Sequence, residues 1–430
     1  MAKYCGSIAG DNLIQSYLDL ALNEIITKFD PITVLLFGGF ATGEGTVEVK
    51  NGKVIPINDI DLYVITRKKI SDSIINSVSS KISKSLNIGG KDFFEHFEDE
   101  SYTTKKFFHI EIRNLTLKEL SGLKPTLRTF ELKNSSKIIY GDKKVLNKIF
   151  DLSANEILVA EAIRLLINKF GILLLCMDKK KLMGTFTQEE KRMIVYFCVK
   201  SFLDSCSALL IFLGHYKSSY RGRLRELKKI LKKEFPELSK NFPDMVNYVE
   251  WATGFKAKPD FGNVKDPIKL WFKARNFAGA VLNEILAKEL MLEKNSSWSL
   301  KMKKFYKDLP HIYFSAYTKH YLKKLHLPLF LNKYLYFSQY FMNLNYFFRL
   351  SKDKFYIKPL LNWRDAGLKI AVPLILLVFA VKNKNSFNKE ITSEAYDYLK
   401  QVYPVKKKDW ASLRNSALKA YRAYYLQKLI

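Results

Sequence analysis

Cysteine is scarce, with four residues in 430: Cys5, Cys176, Cys198 and Cys206. So few, so irregularly spaced, exclude a disulfide framework and a cysteine-based zinc site. The last three lie in apolar helical stretches and read as buried thiols of a reducing compartment, so a cytoplasmic location is expected. Long hydrophobic runs are also missing. The longest, IAVPLILLVFAV at 370–381, has 12 residues and is interrupted by Pro373, whereas a bilayer-spanning helix needs about 20. It predicts a buried core helix, not a membrane span. The opening MAKYCGSIAGDNL holds no apolar segment of signal-peptide length.

Acidic residues are the other shortage: 42 Asp and Glu against 71 Lys and Arg give a net charge of +29. The imbalance is local. Residues 1–150 hold 21 basic and 18 acidic side chains, leaving an excess of +26 on residues 151–430. Such a field attracts polyanions, namely nucleic acid, anionic lipid or nucleotide phosphates, although a lysine-rich surface can also be merely solvated. What the chain has in plenty is apolar material. With 48% hydrophobic and 14% aromatic residues it can bury the cores of two or three domains.

Helical spacing of apolar residues in DNLIQSYLDLALNEIITKF, with Asp11 in front as cap and Asp30-Pro31 behind, predicts an opening helix. ITVLLF at 32–37 is a short apolar strand. TVEV and KVIPI flank Lys50-Asn51-Gly52, a hairpin signature that reads as an insertion before the strand IDLYVIT. A helix is expected over about 70–86 and a strand in KKFFHIEIRNL at 105–115. From residue 153 the pattern is helical, with the last helices around 362–381, 390–402 and 409–427. The polar EKNSSWS at 293–299 reads as a linker, which divides the chain into an α+β domain over 1–150, a helical domain over 151–295 and an aromatic, lysine-rich helical domain over 296–430.

The chemistry concentrates between residues 35 and 113. In a strand, residues i and i+2 share a face, so Asp59 and Asp61 project together while Ile60 and Leu62 face the core. Two carboxylates held side by side repel unless a cation lies between them, and their hard oxygens suit Mg²⁺. The alternative is an exposed turn with capping aspartates. In FFHIEIR the alternation puts His109, Glu111 and Arg113 on one face, which makes Glu111 the candidate third acid, with Asp92, Glu98 and Asp99 as rivals. The loop FGGFATGEG, with Gly38, Gly39, Gly43 and Gly45, lets backbone approach a ligand closely, and a helix starting there would aim N–H groups at a phosphate.

An apolar strand, Gly-Gly, a short loop and Asp-x-Asp on the next strand together resemble the nucleotidyltransferases of the DNA polymerase β superfamily. The resemblance covers about residues 30–142, ending on IIYGD, and does not extend into the C-terminal 280 residues. It implies a nucleotidyltransferase-type mixed sheet with flanking helices, followed here by a mainly helical region. It further implies that Gly38 and Gly39 cradle the β and γ phosphates of a nucleoside triphosphate. Asp59 and Asp61 would hold two Mg²⁺ ions, or Mn²⁺ in their place, with Glu111 as the remaining ligand. The implied reaction is transfer of a nucleoside monophosphate to an acceptor hydroxyl with release of pyrophosphate. Three departures stand out: Gly39 replaces a common serine, with Thr42 as the compensating hydroxyl; the third acid is Glu in place of Asp; and the hairpin lengthens the spacing before Asp59.

Further along, SYRGRLRELKKILKK concentrates Arg221, Arg223 and Arg225 after Tyr220. Guanidinium groups here could grip the triphosphate or the acceptor, against the plainer reading of a solvated basic helix face. His109 reads as a partly buried structural histidine, since bound metals already activate the nucleophile. His215, His311, His320 and His326 lack metal-protease spacing. The aromatic, lysine-rich 300–350 segment is read as core, with base stacking or peripheral membrane contact as alternatives. The basic C-terminal region suits an RNA acceptor such as a tRNA end; a protein or sugar acceptor fits the same motif, and so does a nucleotide-binding module without chemistry.

Overall fold

Apolar residues spaced four and three apart carry the first helix, α1 (Ile8–Phe29), which buries Ile14, Leu18, Ala21 and Ile25. The cap is Ser7, whose hydroxyl accepts from Gly10 N–H at 3.0 Å. Asp11 does not fill that position: it lies in the first turn and accepts from the N–H groups of Tyr4 and Cys5, both at 2.8 Å. Strand β1 (Thr33–Phe37) follows. The hairpin β2 (Val47–Lys50) and β3 (Lys53–Pro56) comes next, turning at Gly52 with φ 73°. Strand β4 (Ile60–Thr66) runs antiparallel to β1, and β5 (Ile110–Thr116) parallel to β4, with helix α2 (Asp72–Ser85) between them in sequence. After α3 (Leu117–Ser121) and α4 (Leu127–Ser135), β6 (Lys137–Gly141) pairs antiparallel with β1.

The sheet order is therefore β5-β4-β1-β6. Alternation sorts its faces. Val34, Leu36, Ile60, Leu62, Ile110 and Ile112 pack with α1 and α2 on one side, while Leu35, Tyr63 and Ile65 meet Leu120 and Leu132 on the other. The fold is α+β, its mixed sheet flanked by helices and followed by a helical C-terminal region.

The computed structural model describes residues 3–50, 52–88, 108–308, 318, 322, 326–331, 338–351, 356–361 and 366–426. It divides into two units, one of Met1–Glu161, Gln188–Met193 and Leu210–Lys265, the other of Ala162–Thr187, Ile194–Leu209 and Asp266–Ile430. This differs from three consecutive stretches. Of the helices α5 (Val159–Leu175), α6 (Lys179–Leu182), α7 (Gln188–Phe212), α8 (Tyr220–Glu234), α9 (Pro236–Asn241), α10 (Met245–Ala257) and α11 (Pro267–Glu289), α8 to α10 belong with the sheet. Helical periodicity marks a buried face without saying what covers it, so the sequence pattern could not make that assignment.

In the second unit the indole N–H of Trp271 donates to Leu173 O at 2.9 Å, and that of Trp410 to Leu377 O at 2.8 Å. Helix Ala366–Ala380 is almost wholly buried around Pro373, as its composition predicts. The segment 293–299 is not a free linker. Trp298 stacks on Phe379 at 4.3 Å and Lys294 pairs with Glu284 at 3.0 Å, because a tryptophan in a polar run still buries its ring. Met302, Phe305 and Tyr346 of the aromatic segment are core, whereas Phe330 and Phe348 are exposed. All four cysteines are free and buried. By length and composition α7 could cross a membrane, but 89% of its apolar window is buried within the protein.

Candidate active site

Register brings the acids together. Across β4 and β5, Asp61 lies directly opposite Glu111, and across β1 and β4 it lies opposite Phe37, the last residue before the glycine loop. Burial, then the charge of Glu111, then that of Asp59 push the Asp61 carboxyl up to about 8, and the hydrogen bond that protonated Asp61 donates to Glu111 contributes in the same direction. Two carboxyls in hydrogen-bonding contact share a proton because the doubly ionised state is penalised in a poorly solvated place. Asp59, just ahead of the strand, pairs with His109 Nδ1 at 3.1 Å. Glu111 accepts from Arg113 Nε at 2.6 Å. Burial opposes the charge of Arg113, but the Glu111 carboxylate beside it holds the guanidinium protonated.

Each acid thus has a protein partner, and among the described residues no three or more His, Cys, Asp or Glu side chains form a ready metal cage. The donor set nevertheless fits a hard cation. The raised Asp61 carboxyl is what unneutralised acids at close quarters produce, and a divalent ion would displace the shared proton. Two donors stand on the same sheet face, Arg113 expected there and Tyr63 not: the Tyr63 hydroxyl and Arg113 Nη1 are buried without a hydrogen-bond partner among the described residues. Asp92, Glu98 and Asp99 lie outside the described residues, as do His311 and His320.

Gly38 meets two requirements at once. Its φ is +75°, and a Cβ there would stand 3.0 Å from Asp61 Oδ2. Gly38→Ala is expected to lose about 1–2 kcal/mol of stability from the left-handed backbone alone, and to lose turnover by crowding Asp61; denaturant titration and pyrophosphate release measure the two. The loop after Gly38 is a series of turns and starts no helix. Thr42 is not a free hydroxyl for phosphate, since it donates to Gly39 O at 3.0 Å and so stabilises the loop itself.

The arginines of α8 also differ from expectation. Glu44, in the glycine loop, accepts from the backbone N–H groups of Tyr220 at 2.6 Å and Arg221 at 3.1 Å, so a protein carboxylate already occupies this helix N-terminus. Arg221 is exposed. Arg223 is buried: Nε donates to Lys217 O and Nη2 to Ser218 O, both at 2.7 Å, with Glu131 at 3.3 Å from Nη2. Its guanidinium also lies over the rings of Tyr216 and Tyr220, at 4.7 and 4.6 Å. A fork so engaged is structural, which corrects its candidacy as a phosphate grip.

Fold and site together define an α+β domain whose four-stranded mixed sheet carries a glycine loop beside an acid cluster. Among solved structures, spectinomycin adenyltransferase AAD(9) from Enterococcus, with ATP and spectinomycin, is similar over 62% of this chain and 99% of that one, at 12% identity and a TM-score of 0.34. No family model matches the chain, and no curated protein matches it.

Proposed function

We propose that this protein is a metal-dependent nucleotidyltransferase that moves a nucleoside monophosphate from a triphosphate to an acceptor hydroxyl. The observation that carries the reading is Asp61, which lies opposite Glu111, has Asp59 for a neighbour and faces a glycine that no other residue could replace without crowding it. Asp59, Asp61 and Glu111 would hold Mg²⁺ or Mn²⁺, which when bound neutralises phosphate charge and lowers the acceptor hydroxyl's pKa. The chain's own part is positional. Gly38 and Gly39 would cradle the triphosphate beside the acids, and His109 and Arg113 orient Asp59 and Glu111. In the reaction the acceptor oxygen bonds to the α-phosphorus as the bond to pyrophosphate breaks.

The test is incubation with each labelled triphosphate, Mg²⁺ or Mn²⁺, and RNA, protein or sugar acceptors. A labelled product identifies the acceptor; no product and no metal-dependent pyrophosphate release with any of them would overturn the reading in favour of a binding module. Binding of Mg²⁺·ATP at pH 7 is expected to release a proton from Asp61, because ligation requires its carboxylate ionised. Calorimetry in Hepes and in Tris, whose ionisation heats differ, reads that release; equal heats would contradict it. The +26 excess on residues 151–430 supports an RNA acceptor. Its affinity should then fall linearly on a log scale, by about 0.7–0.9 decades per decade of salt for each phosphate neutralised, whereas a sugar acceptor gives a shallow slope.

A further inference from the structure

A buried lysine hydrogen-bonds the residue that precedes Asp59. Lys256, at the end of α10, is 2% exposed, and its ammonium donates to Asn58 Oδ1. The same oxygen accepts from Thr46 N–H at 3.0 Å, and the N–H groups of Ile57 and Asn58 both donate to Thr46 O, at 2.9 and 3.3 Å. Thr46 and Asn58 are the two sides of the neck where the β2–β3 hairpin leaves and rejoins the chain. An insertion between the glycine loop and Asp59 should loosen the placement of Asp59. The neck prevents that, and Lys256 closes it. Beyond the neck, Asp59 is held by His109 at 3.1 Å and Ile60 N–H donates to His109 O at 3.1 Å, so the path from Lys256 to the acid cluster is continuous. The hairpin has a second, separate tether, the two-pronged contact of Arg192 with Glu48 on β2.

We propose that Lys256 is a positioning residue for the metal and nucleotide site: by gripping Asn58 it fixes the hairpin neck and orients Asp59 toward Asp61 and Glu111. The proposal rests on the transferase reading. A desolvated ammonium is costly unless its hydrogen bonds are well made, so its use on a side-chain amide beside the acids favours geometric control over bulk stability. In this proposal Lys256 acts through Asn58, whose Oδ1 it grips.

The test is Mn²⁺ binding to the full-length protein with ATP, followed by electron paramagnetic resonance, for the parent, Lys256→Met, Asn58→Ala, the double variant and Arg192→Met. Residues that orient metal ligands typically contribute about 10–100-fold in affinity. Each of the first two single variants is expected to bind Mn²⁺ at least about tenfold more weakly. The double variant is expected to bind no more weakly than the worse single, since both break one connection. Arg192→Met is expected to lower thermal stability with Mn²⁺ affinity retained. Parental affinity in Lys256→Met, additive losses in the double variant, or an equal loss in Arg192→Met would each overturn the proposal. Should Lys256→Met not fold, Asn58→Ala at its half-buried position carries the test, and parental affinity there overturns it. A parent that binds no Mn²⁺ with ATP fails the transferase reading itself, which is distinguishable from all of these.

Discussion

Asp61→Asn is expected to abolish the proposed nucleotidyl transfer while leaving the protein folded and, above neutral pH in chelator, more stable than its parent. The loss of turnover is expected to be about 10³-fold or greater, since the proposed mechanism makes Asp61 a carboxylate ligand to the catalytic cation. The stability gain follows from the proton balance. The Asp61 carboxyl titrates at about 8 in the fold against an ordinary 3.8, pushed up by burial, Glu111 and Asp59. Between those values the native state binds more protons than the unfolded chain, so parental stability falls as pH rises through that window. Asparagine keeps the shape and has no proton to lose. Thermal denaturation of both proteins in EDTA from pH 5 to 9 should give a falling curve for the parent and a flatter one for the variant. Retained turnover, or an unchanged difference across pH, would contradict the assignment.

Arg223→Ala will cost about 2–4 kcal/mol of stability, the range for breaking a largely buried charge pair together with its hydrogen bonds. The substitution leaves the carbonyls of Lys217 and Ser218 without their donor, strips Glu131 of its cation and removes the plate lying over Tyr216 and Tyr220. Burial holds the Tyr216 hydroxyl well above the usual tyrosine range, and that hydroxyl donates to Glu131, so the acid keeps a partner there. The loss should be seen in denaturant melts at any nucleotide concentration. A raised KM for the triphosphate with an unmoved denaturation midpoint would instead restore Arg223 to the phosphate site.

The strands and the acid cluster were legible in the sequence because both rest on period-two alternation. IDLYVIT and HIEIR read directly as lines of core residues on one face and Asp61, Glu111 and Arg113 on the other, and the observed register sets Asp61 against Glu111. The hairpin was legible from Asn51-Gly52. What escaped were contacts between residues far apart in the chain. Glu44 looked like one acid in a glycine loop, and only the fold gives it the start of α8. Arg223 reads in sequence as a phosphate grip or a solvated helix face, and Lys256 is not distinguished from the other lysines, since no periodicity separates a lysine that ends in a buried amide from one that ends in water. Trp298 was misjudged for the same reason: its neighbours are polar, and its stacking partner Phe379 lies in a distant helix.

The ties from Glu44 to Tyr220 and from Asn58 to Lys256 span 176 and 198 residues of chain. During synthesis the glycine loop and both aspartates therefore leave the ribosome long before the residues that fasten them. Contacts of such separation pay their loop-closure entropy late and slow folding. A nascent chain ending after β6 would carry every acid of the site and neither fastening. Its hairpin neck would lack the Lys256 contact, and its strand edges would be available to other chains until α10 emerges.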